Sequence, residues 1–281
     1  MAIRDLLVLL DDSKFCKQRV QATLSFAAEH GAHVVGVALA IRSTISDYIG
    51  VKLPAGFGES QREAVEKAAH KAISRFEKVA GEAGVSFETH IISRSAAKAP
   101  SELAFYARHT DLTVLGQSDP DHGNASFNTA LMEGVLFESG RPVYLVPYVG
   151  NKVAHAHVAV VAWDGGHKSA RAVNDAIPLL KSRDETIILV INPDERAGAH
   201  GNIPGADITA HLARHGVKAR IERTTNRDIG PDKVILNFLA ETSADLLVMG
   251  AYGHSRLREM ALGGVTQTVL KEMTTSVFMS H

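Results

Sequence analysis

Cysteine is nearly absent. Cys16 is the only one in 281 residues, which excludes a disulfide framework or a thiolate zinc site within one chain and suits a reducing cytoplasm. Charge of either sign is not in excess: the formal balance is −1, so nothing supports bulk attraction to nucleic acid or to an anionic membrane. Any partner has to be recognised locally. No apolar run approaches the roughly 18 residues that span a bilayer, and the start, Met1-Ala2-Ile3-Arg4-Asp5, lacks a basic stretch followed by an apolar core. Missing as well are a Gly-x4-Gly-Lys-(Ser/Thr) phosphate loop and a Gly-x-Gly-x-x-Gly fingerprint after a strand, which removes the lysine of fast phosphoryl transfer. The 14 histidines do not assemble a metal site by spacing. Asp119-Pro-Asp-His122 and His155-Ala-His157 are the best local clusters, and both read as solvated loops. Ser126 and Ser255 have no histidine at a predictable geometry, so no catalytic residue is assigned.

What is present is the composition of a soluble globular protein, 45% hydrophobic and 22% charged, with length enough for two domains. Leu6 to Leu10 is a continuous apolar run, as expected for a strand covered on both faces. Asp11-Asp12-Ser13 ends it and offers a cap to a helix from Phe15 to His30 that stops at Gly31. Further strands are expected at His33–Ala40, Val85–Ile92, Leu112–Leu115 and Pro142–Val146. The helices between them fall near Gln61–Glu82, Pro100–Arg108 and Leu131–Glu138. After Pro147-Tyr-Val-Gly150 the same order restarts. Its strands are Val158–Ala162, Thr186–Ile191, Val217–Glu222, Leu246–Met249 and Val277–Met279, and its helices are Lys168–Leu180, Ile208–His215, Lys233–Glu241 and one after Gly264.

Strands alternating with helices imply doubly wound, mostly parallel sheets with helices on both faces. The chain therefore reads as two tandem α/β domains of five strands each, residues 1–150 and 151–281. Matching Asp12 to Asp164 gives an offset of 152, whereas Gly116 to Gly250 gives 134. The first half thus carries extra residues between its second and third strands.

The stretch with the strongest chemical signal is Leu246-Leu-Val-Met-Gly250 through Tyr252-Gly253-His254 to Gly263-Gly264-Val265-Thr266. A buried strand breaks at glycines and resumes as a helix, which lets backbone N–H groups and the positive helix end face an anion. The spacing Gly250-x2-Gly253-x9-Gly263-Gly264-x-Thr266 resembles the nucleotide-binding signature of the universal stress protein family, Gly-x2-Gly-x9-Gly-(Ser/Thr). Gly264 departs from it, standing where the hydroxyl residue is expected. Losing one neutral hydrogen bond costs roughly 0.5–1.5 kcal/mol, about a tenfold loss of affinity at most.

The resemblance implies the adenine nucleotide alpha hydrolase-like fold in tandem and an adenine nucleotide, ATP or its products ADP and AMP, in the second domain. The residues it implicates are Asp164, Val190, Met249, Gly250, Gly253, Gly263, Gly264, Val265 and Thr266. By the same resemblance the chain acts in the stress response and its terminal strands pair the two domains or form a homodimer. ATP hydrolysis is expected to be slow if it occurs, because no general base or arginine finger is evident. From the residues alone, Asp164 is equally a helix cap, and Thr266 either caps its helix or touches phosphate. Val190 and Met249 suit any core of this kind. His254, Ser255 and Arg256 read as exposed loop. In the first half, Gly253, Gly263 and Gly264 align with Asp119, Thr129 and Ala130, where a carboxylate and side chains replace bare backbone, so that site is expected to be lost. The alternative from another class is an interaction scaffold of the same fold with no nucleotide.

Overall fold

A computed structural model describes residues 2–42, 57–118, 125–149, 157–193, 203–252 and 264–281. The chain divides into two compact units, Ile3–Val143 and Tyr144–His281. Both are α/β, with mostly parallel sheets and helices on both faces.

In the first unit β1 (Asp5–Leu10) leads through α1 (Cys16–His30) to β2 (His33–Arg42), α2 (Phe57–Glu82) and β3 (Phe87–Ser95). The chain then returns through α3 (Ala99–Ala107) to β4 (Leu112–Gly116) and α4 (Ala125–Glu138), and β5 (Val143–Val146) follows, only its first residue counting with this unit. The spatial order is β3-β2-β1-β4, and Thr113 N–H donating to the Pro142 carbonyl at 3.1 Å carries the chain toward β5. Leu6, Leu7 and Val8 are fully buried, as the uninterrupted apolar run requires of a central strand. α1 closes at Gly31 in the left-handed region, φ +62°, where glycine carries no Cβ penalty.

The second unit repeats the plan. Its elements are β6 (Val158–Ala162), α5 (His167–Leu180), β7 (Glu185–Ile191), α6 (Ala206–Arg214), β8 (Ala219–Thr224), α7 (Pro231–Glu241), β9 (Leu246–Gly250), α8 (Val265–Glu272) and β10 (Ser276–Ser280). The order β10-β9-β6-β7-β8 reverses between β6 and β9, which makes the carboxyl ends of those two strands the topological switch point.

Sheet register corrects the internal alignment by one residue. Leu6 pairs with Leu112 and Ala159 with Leu246, so the counterpart of Asp164 is Asp11 and not Asp12. The extra length of the first half lies where expected. Val34 pairs with Phe87 and Thr186 with Ala219, and the long α2 stands where the second half has the nine-residue α6.

Three local expectations change. Phe15 is the N-cap of α1 and no side chain caps it; instead Asp11 Oδ1 accepts the Ser13 N–H at 2.9 Å, a turn made before the helix begins. The helix expected from Gln61 starts at Phe57. The helix expected from Leu131 begins at Ala125, because Thr129 and Ala130 stand where the second half has two glycines, and they sustain the helix where bare glycines would break it. No helix among the described residues is long and apolar enough to cross a membrane, and among them no group of three or more His, Cys, Asp or Glu is placed to hold a metal ion.

Candidate functional site

The switch point of the second unit is built from two turns and a helix start. Trp163 prolongs β6 by donating its N–H to the Leu189 carbonyl at 2.9 Å. The chain then turns through Gly165 at φ +73° into α5, whose N-cap is Gly166. Asp164 organises that turn: its Oδ1 accepts the Gly166 N–H at 2.9 Å and the Ser169 hydroxyl at 2.6 Å. This is the cap-like role, performed two residues ahead of the N-cap.

Gly250 ends β9 directly beneath α5. A Cβ at this position would lie 2.6 Å from Ser169 N and 2.7 Å from Lys168 C. Both are main-chain atoms, so only glycine lets the first turn of the helix sit this close to the strand. The chain continues through Ala251 to Tyr252, which is 2% exposed and left-handed at φ +53°. Its N–H donates to Thr266 Oγ1 at 3.1 Å, and its carbonyl accepts from Lys168 Nζ at 2.5 Å.

Thr266 is itself buried, and no side chain caps α8, whose N-cap is Gly264. The Thr266 hydroxyl therefore does not cap the helix. It fastens residue 252 to the first turn of α8. The two chain segments that flank positions 253–263 are thus tied together over the end of β9. Gly264 lies at the helix start, its carbonyl accepting from Gln267 and Thr268 N–H at 2.9 and 3.2 Å, and Val265 follows as the first helical residue. Gly253 and Gly263 lie outside the described residues, as do His254, Ser255 and Arg256.

Met249 is a core residue in register with Ala162 and Met279. Val190 is fully buried, and a Cβ on Gly205, the positive-φ residue opening α6, would lie 3.2 Å from its Cγ2. Asp164, Gly250 and Thr266 are drawn into one connected group through Ser169, Lys168 and Tyr252, three residues that the sequence did not single out, and Val265 adjoins Thr266 at the start of α8. Nothing in the sequence marks Tyr252 for a left-handed conformation, which side chains seldom adopt. Ser169, five residues past Asp164 at the start of an apolar helix, is the one signal that was available.

The first unit builds the same place differently. Asp11 repeats the turn, but its Oδ2 takes Arg19 Nη2 at 2.6 Å, and Arg19 Nε donates to the Leu9 carbonyl at 2.6 Å. Arg19 is only 4% exposed, and a Cβ on Gly116 would lie 2.5 Å from its Nη1. A guanidinium therefore fills the space between the ends of β1 and β4. Eight residues beyond Asp164, as Arg19 is beyond Asp11, the second unit has the buried Ala172, and its helix backbone closes onto Gly250 instead. Ala130, aligned with Gly264, lies inside α4, past the first four helical residues whose N–H groups stay unpaired. Asp119 lies outside the described residues.

Burial raises the Asp11 carboxyl, but the Arg19 charge and the hydrogen bonds from Ser13 and Arg19 outweigh it and hold the group below its ordinary value of 3.8. A carboxylate with a depressed folded-state value stabilises the fold above that ordinary value and loses the contribution as pH falls through the lower one. Acid titration of unfolding is expected to show this slope below pH 3.8, and Asp11→Asn to flatten it.

The profile of the Universal stress protein family matches residues 156–281. This half of the chain belongs to that family. No curated protein matches the sequence. Among solved structures, a universal stress protein from Archaeoglobus fulgidus DSM 4304 superposes with a TM-score of 0.76 at 16% identity, over 98% of this chain and 95% of that one. A functionally unknown protein from Pseudomonas aeruginosa PAO1 gives 0.53 at 17% identity, over 99% and 92%. At such identities the likeness is one of fold, and it extends the architecture of the universal stress protein half to the first half as well.

Proposed function

We propose that the universal stress protein half binds an adenine nucleotide, ATP or its products, at the switch point between β6 and β9, and acts in the stress response of the cytoplasm through contacts that depend on occupancy. The observation that carries this reading is the bond between Tyr252 and Thr266. It brings the two ends of a glycine-bearing segment together beside a helix start and the Asp164 turn, the geometry in which main-chain N–H groups and the helix dipole serve a phosphate. Gly264 in place of a hydroxyl residue weakens the site by one hydrogen bond without removing the amides. The first unit, with Arg19 between its strand ends and Ala130 within a helix, binds none, so one nucleotide per chain is expected. Pairing of the terminal strands, within the chain or between two chains, belongs to the same reading and is measured by light scattering on the eluting protein.

Freshly purified protein, denatured and cleared, is expected to release ATP, ADP or AMP on nucleotide chromatography. Gly253→Asp puts the first half's carboxylate into the second and is expected to abolish retention. A wild-type supernatant that stays empty after soaking with ATP would favour the scaffold, and rapid turnover of the added ATP would point to an enzyme.

A further inference from the structure

We infer that Lys168 is a positioning residue of the proposed nucleotide site, acting through Tyr252. The inference rests on the function proposed above. Lys168 stands in the first turn of α5 with its backbone against Gly250, so its Cα is fixed by the tight helix–strand approach. From there its ammonium donates to the Tyr252 carbonyl at 2.5 Å and to His281 Nε2 at 2.6 Å. Three separate elements, α5, the end of β9 and the end of β10, meet on this one group.

The consequence falls on Tyr252. A tyrosine in the left-handed region is unfavourable and persists only where its surroundings over-determine it. Here both main-chain polar groups are taken by side chains from opposite sides, the N–H by Thr266 and the carbonyl by Lys168. Tyr252 is the residue that bonds the end of β9 to the first turn of α8, so holding its φ and ψ holds that helix start, with its free N–H groups, against the strand end. His281 supports the arrangement from the far side. Burial, then Lys168 and His167, hold its ring below the usual histidine range, which keeps Nε2 an acceptor for the ammonium at neutral pH. Methionine at 168 matches the length of the side chain but has no donor, while arginine keeps both charge and donors.

The test compares Lys168→Met, Lys168→Arg and His281→Ala with the wild type in two measurements. In nucleotide-free protein, hydrogen exchange at the Tyr252 amide is expected to be about tenfold faster in Lys168→Met, because the bond to Thr266 outlives the clamp only in part. ATP affinity measured by calorimetry is expected to fall about tenfold in the same variant, the equivalent of one charge-assisted hydrogen bond. Lys168→Arg is expected to restore both, and His281→Ala to fall between. Unchanged exchange at Tyr252 in a folded Lys168→Met protein overturns the inference, even if affinity falls, since the lysine would then touch the nucleotide directly. If Lys168→Met does not fold, His281→Ala carries the same two readings. Should the wild type bind no nucleotide, the proposed function fails while the exchange measurement still decides whether Lys168 holds Tyr252.

Discussion

Replacing Asp245 by alanine is expected to destabilise the second unit by about 3–5 kcal/mol, the usual cost of leaving one partner of a buried ion pair behind. Asp245 precedes β9 and ties the start of β6 to it. Its Oδ2 accepts the His157 N–H and, at 3.3 Å, the Val158 N–H. Its Oδ1 faces Arg183 Nη1 at 3.3 Å, with the two side chains only 10% and 4% exposed. Arg183 Nε already finds no acceptor among the described residues, so removal of the carboxylate takes the partner of Nη1 as well and leaves the buried charge uncompensated. The chain contains its own control. Asp111 makes the same pair of amide bonds to the start of β1, at 2.7 Å to Arg4 N and 3.1 Å to Asp5 N, but its arginine, Arg141, is 3.9 Å away and 39% exposed. Asp111→Ala is therefore expected to cost about 1–3 kcal/mol, the hydrogen bonds with little of the charge. Trp163 is the only tryptophan and lies in the second unit, so urea unfolding followed by its fluorescence reads Asp245→Ala directly, and circular dichroism reads Asp111→Ala. Equal losses at the two positions would show that the buried charge is not what distinguishes them.

Gly250→Ala is expected to lower the stability of the second unit by about 1–3 kcal/mol, the range for an added methyl in a packed interior, and to remove nucleotide retention with it. The methyl would meet backbone atoms of Ser169 and Lys168 at 2.6 and 2.7 Å, which no rotamer change relieves. The helix start has to move, and it carries Ser169 away from Asp164 and Lys168 away from Tyr252. Gly116→Ala in the first half meets the end of the Arg19 side chain instead, and is expected to be the milder change. Thermal melting of both variants and nucleotide chromatography of Gly250→Ala measure this. Retained nucleotide in a destabilised Gly250→Ala protein would detach the glycine's packing role from the site.

These two changes also show how far the sequence could be read. The order of strands and helices was legible because buried parallel strands demand continuous apolar runs and the intervening helices show a 3.6-residue stripe. The extra length between the second and third strands of the first half was legible by counting alone. The one-residue error in matching Asp12 to Asp164 arose because two adjacent aspartates are indistinguishable until the Leu6–Leu112 pairing fixes the register. Gly250 was singled out as part of an anion loop, and the structure gives it a packing reason, since glycine permits close approach of a helix as readily as of a phosphate. Thr266 was left between capping its helix and touching phosphate, and the structure removes the cap, since its hydroxyl accepts from Tyr252 instead.

The amino-acid sequence by itself determined the class, the duplication and the half in which a bare-backbone segment follows a strand, since each depends on residues near one another in the chain. Only the tertiary structure decided that Arg19 occupies the switch point of the first unit, and that Lys168 joins Tyr252 and His281 in the second. Those contacts depend on which side chain the packed helices bring within 3 Å of which main-chain group. Long flexible side chains acting across 84 or 113 residues leave no periodic trace in the sequence.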